Sequence, residues 1–332
     1  MLNKDKIVLT GIKPTGMPHL GNYIGALKPL IERSRGFKTF MFIADLHALN
    51  TMHNPDEIRE HTYQAAAKVL ALGLDTENTM LFRQSDIPEI YQLNTLLMNV
   101  TPKGLMNRAH SYKAAMDKNI ANNADVDAGV NMGLYTYPIL MAADILLYNA
   151  DVVPVGSDQK QHVEFARDIA GHFNHLYGDT FKMPTPIIGS ESGLIPGLDG
   201  RKMSKSYDNT IPLLAPEGEL KKKIMRIITD SKTPDEPKDP ETSTIFQLYK
   251  HFATDSEIAE FADMFKRGGM GYGTAKTILF EKINAVLEKP REEYERLMEN
   301  KSEIDAILAK GAERARPTAI ETLERVKRAM LG

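Results

Sequence analysis

The sequence predicts an α/β fold: a Rossmann-type doubly wound parallel sheet with a C-terminal all-α domain. Three observations carry this. Short apolar runs alternate with helical segments through the first half of the chain, the pattern of a parallel sheet and its crossover helices. The first run meets its helix through a loop rich in proline and glycine, between Gly11 and Gly21, as in a nucleotide-binding unit. From Glu217 to the end, helical periodicity continues with no further strand pattern.

The elements follow in order. Lys6-Ile7-Val8-Leu9-Thr10 is an apolar run closed by Gly11 and reads as a buried strand. Asn22 to Arg33 carries apolar residues at Ile24, Leu27, Leu30 and Ile31, a helical spacing. Thr39 to Asp45 is a second strand. Asp56 to Leu72 is a helix with Pro55 at its start and Gly73 just past its end. Thr79 to Arg83 is a third strand and Pro88 to Asn99 a further helix. A helical insertion over about 105–150 includes a buried helix from Tyr137 to Tyr148. Asp151 to Val155 is a strand, and Gln159 to Gly171 a helix. The Pro-, Gly- and Ser-rich stretch from Gly178 to Tyr207 reads as a mobile loop region or hinge. Helices are expected over 217–228, 244–252, 256–265, 273–288, 292–299, 303–314 and 318–330. The expected domains are 1–206 and 207–332.

Composition narrows the function. The chain has 332 residues, 42% apolar and 26% charged, ordinary for a globular protein with a real core. Forty-one basic against 44 acidic residues give a net charge of −3. A protein that coats DNA is usually basic, so nucleic-acid contact here requires a local patch. With no cysteine, disulfides, thiolate metal sites and a cysteine nucleophile are excluded. No run approaches the ~20 apolar residues of a membrane span, and the N-terminus is not a secretion signal. A cytoplasmic location is expected, with no membrane partner and no DNA.

Two segments carry chemistry. Pro18-His19-Leu20-Gly21-Asn22 lies between the first strand and its helix. A helix N-terminus beside glycine can cradle phosphate, and Gly21, lacking a side chain, lets a base or ribose approach the backbone. The alternative is that His19 and Asn22 merely cap the helix. Lys202-Met203-Ser204-Lys205-Ser206 places two lysines three residues apart, able to follow a leaving pyrophosphate as flexible point charges. Taken alone, such a basic loop is usually solvent-exposed decoration.

Together, these segments resemble the two signature motifs of the class I aminoacyl-tRNA synthetases, known as HIGH and KMSKS. The second match is complete; the first keeps His19 and Gly21 but ends in Asn22. Tyr137, Met141 and Asp144 stand at i, i+4 and i+7, on one helix face. Tyrosine-specific relatives commonly carry Gln where this chain has Met141. Methionine packs on an aromatic ring, and Asp144 can accept from an indole N–H, which only donates. The segments Tyr137 to Leu146 and Pro154 to His162 are similar to the tryptophanyl-tRNA synthetase signatures, of the bacterial type. The resemblance runs from Gly11 to about Ala315 and includes Gly271-Tyr272-Gly273 with Lys276.

The resemblance implies roles. Lys13, Pro14, Thr15, Gly21 and Asn22 line the ATP site. Gly156, Ser157 and Asp158 hold the ribose, and Ile195 meets adenine through its backbone. Lys202, Met203, Ser204, Lys205 and Ser206 close on the phosphates, with Lys202, Lys205 and His19 serving catalysis. Tyr137 and Gln159 take the tryptophan ammonium; Met141 and Asp144 take the indole. It further implies ATP with Mg2+, L-tryptophan and tRNA(Trp) as partners, a homodimer formed through the insertion, and an anticodon-binding helical domain. Two positions depart from the bacterial pattern: Lys13 replaces a glutamine, and Ala115 replaces a lysine associated with ATP. Lys13 then supplies the charge missing at Ala115, a reading excluded if Lys13→Gln leaves ATP affinity and activation rate untouched.

Other readings stay open. His47, after the second strand, either meets substrate or caps a turn. His172 and His175 lack the further ligands of a metal site, so none is expected. Glu191 and the Lys221–Lys223 run read as solvated. Three rival functions are a tyrosine-activating enzyme of the same architecture, a tRNA-binding paralogue without catalysis, and a nucleotidyltransferase on this fold.

Overall fold

The computed structural model of the chain describes residues 6–16, 18–156, 160–188 and 195–332. Among these, five parallel strands form one sheet: β1 (Ile7–Ile12), β2 (Lys38–Ile43), β3 (Thr79–Arg83), β4 (Val152–Val155) and β5 (Thr185–Ile188), in the order β3-β2-β1-β4-β5. Leu9 pairs with Phe40 on one side of β1, and Val8 with Val152 on the other. Val8, Leu9, Phe40, Met41 and Leu81 are buried, which explains why these strands read as unbroken apolar runs. The order reverses between β1 and β4, and the crevice above their carboxyl ends is where such a sheet takes ligands. β5 corrects the expectation of a continuous loop from Gly178 to Tyr207. Its Pro186 opposes Val153, and a proline is tolerated there because β5 is an edge strand that needs no donor on its outer side.

The first crossover is α1 (Leu20–Asn22), a five-residue π-helical turn over Tyr23–Leu27, and α2 (Lys28–Ser34). α3 (Asp45–Ala48) closes β2, and α4 (Pro55–Ala71) is capped by the Asn54 side chain. α5 (Pro88–Met98), α6 (Lys103–Met106), α7 (His110–Ala121) and α8 (Met132–Leu147) lie between β3 and β4, and α9 (Lys160–Tyr177) follows β4. α8 packs against α9, bringing two candidate site helices together.

Beyond 207 the chain is helical: α10 (Glu217–Met225), α11 (Thr244–Tyr249), α12 (Asp255–Arg267), α13 (Tyr272–Glu299) and α14 (Lys301–Leu331). Two expected breaks do not occur, since α13 runs through Pro290 and α14 through Pro317. A proline costs an interior helical bond. Here Pro317 is exposed, as are Val286 and Glu313, four residues before each proline, so the freed carbonyls remain on the watered side of each helix. Buried apolar residues on both sides of each proline keep the helix seated.

The helical part shares its cores with the sheet. Ala312, Ala315, Ala319, Leu323 and Val326 of α14 join the cluster containing Phe40, Phe82 and Tyr148. Leu20, Ile24 and Met203 instead join Phe246, Phe261 and Leu279 of the α10–α13 group. Leu20 and Met203, one from each candidate nucleotide motif, are thereby seated in the same core.

Candidate active site

His19 is the N-cap of α1 and is 9% exposed. Its Nδ1 accepts from the Asn22 N–H at 3.3 Å, while the His19 N–H donates to Asn22 Oδ1 at 3.2 Å. This reciprocal box satisfies two orphan donors at the helix start. With Nδ1 accepting, the ring proton belongs on Nε2, which is then a donor. Burial lowers the imidazole pKa, and the nearby Lys205 ammonium lowers it further. His19 is therefore a neutral donor at pH 7, and capping and a site role coexist in one residue.

The early N–H groups of α1, expected to cradle phosphate, already have partners within the protein. Leu20 N–H donates to the Ile211 carbonyl at 2.8 Å, Gly21 N–H to Met203 Sδ at 3.3 Å, and Asn22 N–H to His19. All three early donors are occupied. Glycine is needed at 21 for a different reason: a Cβ there would lie 3.0 Å from His19 Nδ1 and 3.3 Å from the Met203 Cβ. The space is taken by the protein itself.

The lysine-bearing loop is folded onto this helix. Met203 is buried, and its N–H donates to the Ile195 carbonyl at 2.9 Å. The side chains of Met203 and Ile195, both expected at the nucleotide, join the core beside Leu20, and the Ile195 carbonyl takes the Met203 N–H. Ser204 Oγ accepts from the Ser206 N–H at 3.3 Å. Lys202, Lys205 and Ser206 are exposed, so the two ammonium groups are free to meet phosphate. Asn209 pins the loop. Buried, it accepts from Ser204 N–H at 2.8 Å and donates to Asp199 Oδ1 at 2.7 Å and the Lys202 carbonyl at 3.1 Å. No motif points to Asn209 in the sequence.

Lys13, Pro14 and Thr15 follow β1 directly, with Lys13 and Thr15 exposed and Pro14 buried. Gly156 follows β4 and is exposed, across the crevice from them. Ser157, Asp158 and Gln159, and also Glu191, lie outside the described residues.

The amino-acid end is built on α8. Asp144 is 2% exposed, and its carboxylate has three bonds: Gln84 Nε2 donates to Oδ1 and Oδ2, each at 2.9 Å, and His47 Nε2 lies 3.0 Å from Oδ2. Burial pushes the Asp144 pKa up, while His47 and then Gln84 oppose this by stabilising the charged form. A carboxylate offers about four lone-pair sites, so a further donor can still be accepted. His47, ambiguous from the sequence, belongs to this cluster. No motif in the sequence points to Gln84, although its place just after β3 is a usual position for site residues. Met141 is half-buried one turn before Asp144. Tyr137 is buried, with its hydroxyl 3.0 Å from His162 Nε2.

Comparison with known proteins agrees with this architecture. Residues 1–324 match the family of tRNA synthetases class I (W and Y). A tryptophan–tRNA ligase from Neisseria meningitidis is 51% identical over 328 residues, covering 98% of this chain and 97% of that protein. One from Pseudomonas aeruginosa is 50% identical over 97% of this chain and 73% of its own length. The crystal structure of a tryptophanyl-tRNA synthetase from Campylobacter jejuni, complexed with ADP and tryptophan, superposes with a TM-score of 0.89 at 41% identity, covering 97% of this chain and 98% of the other. The chain belongs to the class I tRNA synthetases for tryptophan and tyrosine.

Proposed function

We propose that this chain is a tryptophan–tRNA ligase. It activates L-tryptophan with ATP to tryptophanyl-adenylate and transfers the tryptophanyl group to the 3′ end of tRNA(Trp). The observation that carries the choice of amino acid is the buried Asp144, held by Gln84 and His47, with Met141 one turn away in place of a phenol-binding glutamine. An indole N–H can use the remaining acceptor capacity of Asp144, whereas phenylalanine would leave it unmet. Relatives about half identical over nearly the whole chain carry the same activity in their names.

In the first step the tryptophan carboxylate attacks the α-phosphorus of ATP and pyrophosphate leaves. In the second, a terminal ribose hydroxyl of tRNA attacks the acyl carbon and AMP leaves. No side chain becomes covalently bound. Lys202 and Lys205 neutralise charge on the departing phosphates, and His19 Nε2–H adds a neutral donor. Tyr137 and Gln159 take the ammonium, while Lys13, Thr15, Gly156, Ser157 and Asp158 border the nucleotide. Positioning and electrostatics supply the rate. Magnesium is taken to enter with the nucleotide substrate, on its phosphate oxygens.

We assign the helical part over 207–332 to tRNA anticodon binding and the catalytic part to 1–206. The insertion over 105–150 presents exposed Ile120 and Met132, which suits a homodimer contact. Among the described residues no helix is long and apolar enough to cross a membrane, and a cytoplasmic setting fits a tRNA substrate.

The test is amino-acid-dependent exchange of labelled pyrophosphate into ATP, with tryptophan, tyrosine and phenylalanine compared side by side. Exchange with tryptophan alone is expected. Exchange with tyrosine would overturn the pocket assignment, and no exchange would favour a tRNA-binding paralogue. Asp144→Ala is expected to cut the preference for tryptophan over phenylalanine by at least about tenfold, the worth of one lost hydrogen bond.

A further inference from the structure

A substrate ammonium has three donors and no acceptor, so a tyrosine hydroxyl that binds it must accept. The phenol's own hydrogen then has to point elsewhere, or it would face the cation. Tyr137 has one place to send it among the described residues: its hydroxyl lies 3.0 Å from His162 Nε2 and has no second partner there. The two rings meet edge to face, with centroids 5.6 Å apart and planes at 83°. They stand on α8 and α9, which pack directly on one another. Both ring planes are thus set by the helix pair before any ligand arrives.

The direction of this bond decides the polarity of the site. If Nε2 carried a hydrogen, His162 would donate to the phenol oxygen, and the phenol hydrogen would turn toward the ammonium. If Nε2 is bare, with the ring hydrogen on Nδ1, the phenol donates to His162 and presents its lone pairs to the ligand. We propose that His162 is a positioning residue of the amino-acid site, whose Nε2 takes the Tyr137 hydrogen bond and so turns the phenol into an acceptor for the tryptophan ammonium. This rests on the reading that Tyr137 meets that ammonium.

The test compares two ligands across a small set of variants. Tryptophan is followed by pyrophosphate exchange, and indole-3-propionate, which keeps the indole and carboxylate but lacks the ammonium, is followed as an inhibitor. His162→Leu is expected to raise the tryptophan KM roughly tenfold, one hydrogen bond's worth. It should leave kcat within about twofold and the inhibition constant of indole-3-propionate unchanged. His162→Gln, whose side-chain oxygen can accept, is expected to restore most of the affinity. Tyr137→Phe should show the same ammonium-specific loss, and the double change Tyr137→Phe with His162→Leu should be no worse than Tyr137→Phe alone. Equal weakening of both ligands by His162→Leu would mean packing only and would overturn the proposal. So would failure of Gln to rescue, or an unaffected His162→Leu beside an impaired Tyr137→Phe. If Tyr137→Phe itself shows no ammonium-specific loss, the assignment of Tyr137 falls first, and the role of His162 with it.

Discussion

The backbone N–H of Gly21 donates to the Met203 sulfur at 3.3 Å, joining two motifs 182 residues apart in the chain. A thioether is a weak acceptor, so this latch holds the lysine-bearing loop against α1 without locking it. Gly21→Ala is expected to force the parts away from each other, because the new methyl would lie 3.0 Å from His19 Nδ1 and 3.3 Å from the Met203 Cβ. We expect ATP-dependent activation to fall at least about tenfold, the cost of a roughly 1 Å misplacement being larger still. Tryptophan affinity, read by equilibrium binding without ATP, should stay within about twofold. Loss of both in equal measure would show that the change spreads beyond the loop.

His19 gives a pH prediction with a definite sign. Burial and then Lys205 lower its pKa below the ordinary 6.5, so the folded protein refuses a proton that the unfolded chain accepts. His19 therefore leaves stability intact above pH 6.5, and stability is lost as the pH falls from 6.5 toward the folded pKa. Replacing Lys205 by Met removes the second cause. An NMR titration of the His19 imidazole is expected to move upward in Lys205→Met, toward but not reaching 6.5, since burial remains. An unmoved titration would show that the Lys205 ammonium does not act on the ring.

Much of this was legible in the sequence, and the misses have physical causes. Strands buried on both faces announced themselves as apolar runs, so β1 to β4 and their crossovers could be placed from Val8, Phe40, Leu81 and Val152. β5 could not, because Thr185-Pro186-Ile187-Ile188 is short and carries a proline that only an edge position tolerates. The gaps expected at 288–292 and 314–318 err in the opposite direction: helix continues through Pro290 and Pro317 because the local cost is outweighed by packing that the sequence does not display. Asp144, Met141 and Tyr137 shared a face by spacing alone. Their partners Gln84, His47 and His162 come from other elements, and Asn209 holds its loop through contacts no spacing rule describes.

Lys68 on α4 is a buried cation, 4% exposed. Burial first, and Lys205 second, bring its pKa down to about 8. Among the described residues it has no carboxylate or hydrogen-bond partner. The unfolded chain binds this proton up to about 10.4, so the penalty is complete below pH 8 and fades as the pH rises from about 8 to the unfolded value. Over two pKa units this amounts to a few kcal/mol. Lys68→Met, which keeps the aliphatic stem and removes the charge, is expected to raise stability at pH 7 by about 1–3 kcal/mol. It should also flatten the rise between pH 8 and 10. Urea unfolding at pH 7 and pH 10 checks both, and a destabilised variant at pH 7 would mean the ammonium has a counter-charge after all.

The last helix depends on one missing methyl. At Gly311 α14 crosses β3 so closely that an added Cβ would collide with the Leu81 carbonyl, a backbone group that cannot rotate away. Ala312, Ala315 and Ala319 continue the same close face, and Leu323 and Val326 complete it against the sheet core. Beside it, Arg316 bonds buried Glu89 at 3.0 Å, and Arg83 pairs with Asp305, tying the helix to α5 and to the end of β3. Gly311→Ala would normally favour a helix by up to about 1 kcal/mol. Here the methyl has to lift α14 off the sheet, and overpacking of this kind costs about 1–3 kcal/mol or more. The expected result is therefore a lowered Tm despite the better helix former, with faster amide exchange in β3. An unchanged or raised Tm would show that α14 can shift without losing its seat. A matched change at exposed Ile320 on the same helix, Ile320→Ala, should be close to neutral, separating helix propensity from docking.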